Sequence, residues 1–246
     1  RKIAPELSAG RVQAGALWLV VDREREILAF SNEAYYKVEA LFHPEGTPVT
    51  TLVKAVLDRK FPDMESAREF LERCIGAKFT ISSIEKKEGT RTPAAPFTTS
   101  TLQQEAARKL RLSVSQTMSI AQRLYESGLI TYMRTDSTNL SSLAINTAKQ
   151  YINNNFGEAY SQVRQYRTKA KGAQEAHEAI RPTYIENTSI EGTPQEKKLY
   201  ELIWKRTVAS QMADARILRT DIKVSSDKGE EKFNVQASQV LFDGFL

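Results

Sequence analysis

The chain has 246 residues, of which 41% are hydrophobic and 26% are charged, a composition typical of globular domains that bury a sizeable core. No apolar run approaches the ~18 residues needed to cross a bilayer, and the first residues form no signal peptide. A single cysteine, Cys74, and two histidines, His43 and His177, exclude an internal disulfide and lack the spacing of a zinc site. We therefore expect a cytoplasmic protein with no membrane partner and, because an initiator methionine is missing, a piece of a longer polypeptide.

The first third of the chain combines helix and strand patterns. Apolar residues at helical spacing after Gly10 predict a helix with a wide buried stripe, and strict alternation before a His-Pro-Glu-Gly turn predicts a strand. A second helix is predicted from an Asp63 N-cap to a Gly76 C-cap. The predicted elements are a helix over 12–28, a strand over 36–42, a helix over 63–76 and a strand over 78–84.

Beyond a Pro-rich connection at 91–96 the pattern changes to consecutive helices. Three capping boxes occur, at Ser100–Gln103, Ser113–Gln116 and Thr193–Glu196, and the last has proline at its first helical position. The predicted helices lie near 101–111, 114–127, 142–156 and 194–213, and alternating strands return at 218–224 and 233–237. We therefore expect an α+β fold in which a β-rich unit is interrupted by an inserted all-helical, helix-turn-helix-like domain.

The distribution of charge suggests which part would bind a polyanion. The formal net charge of +5 is too small by itself to require such a partner. Residues 97–214 contain 15 Lys+Arg against 11 Asp+Glu, so most of the basic excess lies in the helical insertion. If nucleic acid binds, that insertion is the expected surface.

The stretch LITYMRTD at 129–136 carries the candidate chemistry. If it runs extended, Tyr132, Arg134 and Asp136 share one face. An arginine fork can hold two phosphodiester oxygens while a phenol attacks the phosphorus. An ordinary tyrosine, with a pKa of about 10, needs nearby positive charge or a base, so we expect Arg134 to supply that charge and Asp136 to orient the arginine. The alternative is a half-buried packing tyrosine beside a surface ion pair.

Two further stretches could contact phosphate. Residues 8–13, SAGRVQ, place Arg11 and Gln13 at a helix start, where free N–H groups and the helix dipole favour an anion. Residues 169–183 combine a basic run with His177, flanked by carboxylates, and with Arg181 before a proline. A nearby carboxylate favours the imidazolium form, which binds phosphate. A plain glycine-led helix start and a structural histidine are the alternatives.

Taken together, these stretches resemble the type IA DNA topoisomerases, and within them bacterial topoisomerase I. Met133 and the form of residues 176–183 are more similar to topoisomerase I than to topoisomerase III. The segments that carry the resemblance are 8–13 (SAGRVQ), 22–27 (DREREI), 96–105 (PFTTSTLQQE), 121–141 (AQRLYESGLITYMRTDSTNLS) and 176–183 (AHEAIRPT).

The resemblance implies a reaction and residue roles. Tyr132 would cut one DNA strand and become joined to its 5′-phosphate, a second strand would pass through the gap, and religation would relax negative supercoils without ATP. Arg134 would hold the scissile phosphate, and His177 would bind phosphate nearby. Arg11, within the Gly-Arg-Val-Gln13 motif, would contact the single strand leading to the cleavage point, and Asp136 and Arg181 would support DNA binding.

The resemblance also implies a domain division and a missing part. Residues 1–28 would be an edge of the helical gate domain, 29–92 and 219–246 a discontinuous β-rich arch, and 93–218 the tyrosine-bearing helical domain. The family's Mg²⁺ ligands belong to a Toprim domain, whose Asp-x-Asp motif is absent from this sequence. We therefore expect no metal on this chain, a monomer, single-stranded and negatively supercoiled DNA as partners, dependence on the Toprim domain of the same polypeptide, and an inactive fragment without it.

A second reading keeps DNA but removes the chemistry. The helices near 101–111 and 114–127 could form a helix-turn-helix binding module, with phosphate contacts from Arg108, Lys109, Arg111 and Arg123. Tyr132 would then simply begin the next strand. A structural interaction domain without a DNA role is a third reading. A nucleophile leaves a covalent link, whereas a binding module gives only salt-sensitive association.

Overall fold

The computed structural model describes residues 10–48, 50–166 and 178–246. The mixture of helices with an antiparallel sheet confirms the predicted α+β class. The elements in these residues are α1 (Arg11–Ala29), β1 (Tyr36–Phe42), β2 (Val53–Phe61), α2 (Met64–Cys74), β3 (Phe79–Arg91), α3 (Thr99–Leu110), α4 (Val114–Glu126), α5 (Ser142–Phe156), α6 (Pro194–Ser210), β4 (Ala215–Ser226) and β5 (Lys232–Phe242).

Contacts between residues divide the chain into two compact units. The first runs up to Ile84 and adds Ile222–Val235, and the second combines Glu85–Asp221 with Gln236–Leu246. The strands β3, β4 and β5 each cross a boundary between these segments. The assignment of gate, arch and helical domains remains a prediction from the resemblance.

The first unit is built on antiparallel strands covered by α2. The sheet order is β1-β2-β5-β4-β3, and Leu57 of β2 faces Phe233 of β5. Phe61 and Phe70 pack with ring centroids 5.4 Å apart, and α2 begins at the predicted Asp63 cap, whose carboxylate accepts a hydrogen bond from the Ser66 N–H. Sequence analysis missed β2, because its alternation at 53, 55 and 57 gives way to a charged run at 58–60.

The first helix forms as predicted, but its buried stripe was a wrong prediction. The apolar side chains of α1 are exposed to solvent, with Trp18 65% and Leu28 77% exposed. Apolar periodicity identifies a helix but does not supply the surface that covers it, and no described residue buries this one. Within residues 10–48, 50–166 and 178–246, no helix is long and apolar enough to span a membrane.

The second unit contains the predicted helices, and two of the three capping boxes form as expected. Ser113 with Gln116 opens α4, and Thr193 with Glu196 opens α6. The third prediction was wrong, because α3 is capped by Thr98 rather than by Ser100. A local pattern does not choose between overlapping caps. Here the chain before Ser100 is hydrogen-bonded to residues far along the sequence, which moves the helix start two residues earlier.

A single apolar core joins these helices to the tyrosine segment. Ile130 and Met133 are 2% and 1% exposed and belong to the same buried cluster as the apolar faces of α3, α4 and α6. The other members are Phe97, Leu102, Ala106, Leu112, Ile120, Ala121, Leu124, Ile180, Ile190, Leu199, Tyr200 and Ile203. The backbone on both sides of Tyr132 is therefore anchored by buried neighbours.

Candidate functional site

The tyrosine segment leaves α4 through a tight reversal. Gly128 has φ +70°, a left-handed conformation that a side chain would strain, and its N–H donates to the Tyr125 carbonyl at 2.8 Å. Ile130 then forms an isolated antiparallel bridge with Pro182. The extended run considered for 129–136 is limited to this bridge, because residues beyond Ile130 have no regular ladder. The chain reversal and this bridge carry Tyr132 to the surface.

The predicted alternation of side chains is nevertheless present. Tyr132, Arg134 and Asp136 are exposed. The intervening Met133 and Thr135 are only 1% and 6% exposed. Burial of every second side chain thus holds the tyrosine, the arginine and the aspartate outward, although no β-ladder directs them.

Tyr132 is accessible while its ring is supported. Its side chain is 40% exposed, and its ring meets that of Tyr125 edge to face, with centroids 5.3 Å apart and an interplanar angle of 68°. Edge-to-face pairs favour one ring orientation. The phenol is therefore accessible to solvent rather than enclosed in an apolar interior. A nucleophile needs this access to reach its substrate.

Thr131 connects the tyrosine segment by hydrogen bonds to residues 179–181. Its N–H donates to the Arg181 carbonyl at 2.9 Å and its hydroxyl donates to the Ala179 carbonyl at 2.7 Å. The same hydroxyl accepts from the Arg181 N–H at 2.9 Å. These three hydrogen bonds fix the backbone immediately before Tyr132 against residues 179–181.

Arg181 lies close to this contact but is already engaged. Its side chain is 15% exposed and pairs with Glu178, with Nη2 2.6 Å and Nε 3.1 Å from Oε2. The other Glu178 oxygen accepts from the Ser141 N–H, at the N-cap of α5, at 2.5 Å. The Glu178 carboxylate therefore links Arg181 to the start of α5, and the assignment of Arg181 to DNA binding remains a prediction.

The Glu178 carboxyl is held in its charged form. Burial acts to raise its pKa, but hydrogen bonds from Ser141 and Arg181 and the charge of that arginine outweigh burial and lower the pKa below the usual value. A lowered folded-state pKa contributes stability that is fully present above the unfolded-state pKa, about 4.3, and is lost as pH falls through the folded-state value.

We expect Glu178→Gln to reduce the acid sensitivity of the fold. At neutral pH the variant should be less stable by about 1.5–3 kcal/mol, since charge-assisted hydrogen bonds are lost. Below about pH 4.3 its disadvantage should shrink, because the wild-type carboxyl also becomes neutral. Urea unfolding between pH 3 and 7 measures both effects, with the exposed Glu186→Gln as control. A constant difference across this range would contradict the assignment.

The remaining predicted site residues lie either in the first unit or outside the described residues. Arg11 and Gln13 lie in the first turn of α1, in the first unit, after a Gly10 N-cap that makes no side-chain capping bond. Nothing is described of the Arg11 side chain, and His177 lies outside the described residues. Of the predicted set, the second unit brings together Tyr132, Arg134, Asp136 and Arg181.

The described parts of the chain contain no candidate metal-binding site. Among them, no three His, Cys, Asp or Glu side chains are placed to share an ion. The resemblance assigns the Mg²⁺ ligands to a Toprim domain, and none of the described residues is assigned to that ion.

Sequence analysis missed two residues of this site, Thr99 and Thr131, and considered Glu178 only as a carboxylate flanking His177. Thr99 lies in a Thr-rich run that was interpreted as a helix start, and the hydroxyl of Thr131 bonds to a carbonyl 48 residues away. Hydroxyl and carboxylate partners at such separations leave no periodic signal. Only the position of Thr131 immediately before Tyr132 could have drawn attention to it.

The helix-turn-helix alternative, with its four phosphate-contacting cations, stays a prediction. The turn between α3 and α4 exists, with Arg111 in a left-handed conformation. Arg108 and Lys109 are paired with Glu105 at 2.8 and 3.3 Å. Arg123 is paired with Glu196 at 2.6 Å, and this contact helps lower the pKa of that carboxyl to about 2. Three of the four cations proposed for phosphate contacts thus already have carboxylate partners.

Comparison with known proteins identifies the family. A family model described as DNA topoisomerase matches residues 1–246. The chain therefore belongs to the DNA topoisomerase family, in its bacterial type IA branch.

Individual relatives narrow the similarity to topoisomerase I. The chain is 44% identical to DNA topoisomerase 1 of Mycolicibacterium smegmatis, covering all of this chain and 30% of that protein. It is also 44% identical to DNA topoisomerase 1 of Zymomonas mobilis, covering 21% of it. Full-length topoisomerase I from Thermotoga maritima superposes with a TM-score of 0.77 at 38% identity, over 97% of this chain and 40% of that one. The chain thus spans under a third of these two curated relatives.

Proposed function

We propose that this chain carries the DNA-cleaving tyrosine of a type IA topoisomerase, and that Tyr132 is the nucleophile. The observation that carries the proposal is the exposed phenol on an anchored loop, next in alternation to the exposed Arg134. The phenolic oxygen forms a bond to phosphorus, and the bond from phosphorus to the 3′ oxygen breaks. The phenol loses a proton and the leaving oxygen gains one, so the products are a 5′-phosphotyrosine and a 3′-hydroxyl.

Arg134 and Asp136 assist this step. The Arg134 guanidinium donates to the non-bridging oxygens, where negative charge accumulates in the transition state. Asp136, which is also exposed, orients the arginine. Arg11, Gln13, His177 and Arg181 bind the DNA backbone around the cleavage point, as their positions in the family motifs suggest.

The whole reaction belongs to the longer protein. Religation reverses the same exchange, and because the phosphotyrosine link preserves the phosphodiester energy, relaxation of negatively supercoiled DNA needs no ATP. The Toprim domain of the same polypeptide would hold Mg²⁺, which would supply positive charge for cleavage, so the 246-residue chain alone is inactive. We place the protein in the bacterial cytoplasm with the nucleoid, acting as a monomer on single-stranded regions.

End-labelled oligonucleotides test the assignment. The chain is mixed with Mg²⁺, a separately produced Toprim fragment and a single-stranded oligonucleotide labelled at one end. With a 3′ label, a denaturant-stable labelled protein is expected, and with a 5′ label a shortened free fragment ending in a 3′-hydroxyl. Peptide mass spectrometry should locate the nucleotide on Tyr132, and omission of the Toprim fragment should leave little or no adduct.

Several outcomes would contradict parts of the proposal. An adduct on another residue, or label transfer with the opposite polarity, excludes Tyr132 as the family-type nucleophile. Salt-sensitive binding without any adduct supports the helix-turn-helix module instead. Strong cleavage by the chain without the Toprim fragment would show that the required partner was wrongly assigned.

A further inference from the structure

A second threonine hydroxyl, that of Thr99, forms hydrogen bonds with the loop just after Tyr132. Thr99, the first residue of α3, donates its hydroxyl to the Met133 carbonyl at 2.7 Å. The same oxygen accepts from the Thr135 N–H at 2.9 Å. The Thr99 N–H in turn donates to the Thr135 carbonyl at 2.9 Å. A hydroxyl has one proton and two lone pairs, so this side chain fills a donor role and an acceptor role at once.

These contacts surround one residue. The Met133 carbonyl belongs to the peptide group before Arg134, and the Thr135 N–H belongs to the peptide group after it. Both peptide planes flanking Arg134 are therefore held by a single oxygen atom. Because the two planes define the φ and ψ angles of Arg134, they also fix the direction in which its side chain leaves the backbone.

The support behind Thr99 is firm. The Thr98 side chain caps α3 in a reciprocal box with Thr101, and Leu102 in the next turn is fully buried. On the other side, Thr131 locks the backbone before Tyr132 through bonds of 2.7–2.9 Å. The loop is therefore held by two sets of hydrogen bonds, which we call the threonine clamps: those of Thr131 before Tyr132, and those of Thr99 on both sides of Arg134.

We propose that Thr99 is a positioning residue for DNA cleavage, acting through the backbone of Arg134. Its hydroxyl holds the guanidinium where the scissile phosphate arrives, and it touches neither DNA nor the reacting atoms. This inference rests on the proposed role of Tyr132 and Arg134. A misplacement of about 1 Å at a catalytic group can reduce a rate by about 10²-fold.

Replacement of the hydroxyl by a methyl group tests the clamp. Thr99→Val has nearly the same shape but leaves the Met133 carbonyl and the Thr135 N–H without this partner. We expect the rate of adduct formation at saturating oligonucleotide to fall about 10- to 100-fold, with oligonucleotide affinity within about threefold. Thr99→Ser, which keeps the hydroxyl, should stay within about threefold of wild type. Thr117→Val, which removes another buried hydroxyl in the same unit, is the matched control.

Two further measurements separate positioning from general destabilisation. In an Arg134→Ala background, Thr99→Val should have little additional effect, because coupled residues act non-additively. Amide hydrogen exchange at Thr135 should accelerate in Thr99→Val and not in Thr99→Ser. If Thr99→Val does not fold, Thr99→Ala, which introduces no new methyl group against the loop, replaces it in every arm.

The outcomes divide cleanly. Wild-type cleavage by Thr99→Val, loss of rate in Thr99→Ser equal to that in Thr99→Val, or full additivity with Arg134→Ala would each overturn the positioning role and leave the proposed function intact. Absence of any adduct from the wild-type chain with its Toprim fragment would overturn the proposed function and this inference with it.

Discussion

Replacement of Tyr132 by phenylalanine should abolish covalent adduct formation. The substitution removes one oxygen atom and keeps the ring, so the edge-to-face contact with Tyr125 and the buried neighbours on either side are retained. Without that oxygen no bond to phosphorus forms, and adduct should fall below detection. Binding of the single-stranded oligonucleotide should remain within about threefold of wild type, because charge contacts supply most of that affinity.

Tyr125→Phe is the matched control for this loss. Tyr125 is also 40% exposed and stands beside Tyr132, so its phenol could be mistaken for the nucleophile. Denaturing gels with a 3′-labelled oligonucleotide compare the two variants directly. Adduct that persists in Tyr132→Phe and disappears in Tyr125→Phe would reverse the assignment.

Replacement of Arg134 by alanine should slow cleavage about 10²- to 10³-fold. Loss of a preorganised donor to developing negative charge costs about 2.7–4 kcal/mol of transition-state stabilisation. Thermal stability should change little, because the side chain is exposed and surface substitutions usually alter the free energy of unfolding by less than about 0.5 kcal/mol. Single-turnover adduct formation at saturating oligonucleotide measures the rate.

Charge and geometry are separated by a second substitution at the same position. Arg134→Lys keeps the positive charge but loses the planar fork, so its rate should lie between those of the wild type and Arg134→Ala. Arg68→Ala removes an exposed arginine of the first unit that is paired with Glu72, and it should leave the rate unchanged. Equal rates for Arg134→Ala and wild type would exclude the guanidinium from the chemistry.

Helix boundaries show where local information is sufficient. The caps at Ser113 and Thr193 depend only on a side chain and an N–H three residues later, and both were predicted. The end of α5 at Gly157, with φ +96°, is equally local. The start of α3 was misplaced because Thr98 and Thr101 form a reciprocal capping box that overlaps the one expected at Ser100, and Thr99 also bonds to residues 34 and 36 positions away.

The candidate site divides in the same way. The residue types Tyr132, Arg134 and Asp136, and their common side of the chain, followed from spacing alone. Beyond Ile130 the segment is held by side-chain hydroxyls rather than by a ladder. No pattern in the sequence indicated that Thr99 and Thr131 would supply those bonds, or that Glu178 would hold both Arg181 and the start of α5.

By itself the sequence determined the α+β class, the family resemblance, most helix ends, and the tyrosine with its flanking arginine. Each of these depends on residues close together in the chain. Only the tertiary structure decided which distant side chains hold the tyrosine loop and that the apolar side of α1 is uncovered in the described chain. These features depend on contacts between distant segments, and the free energy of such contacts is set by packing and hydrogen-bond geometry, which residue order does not display.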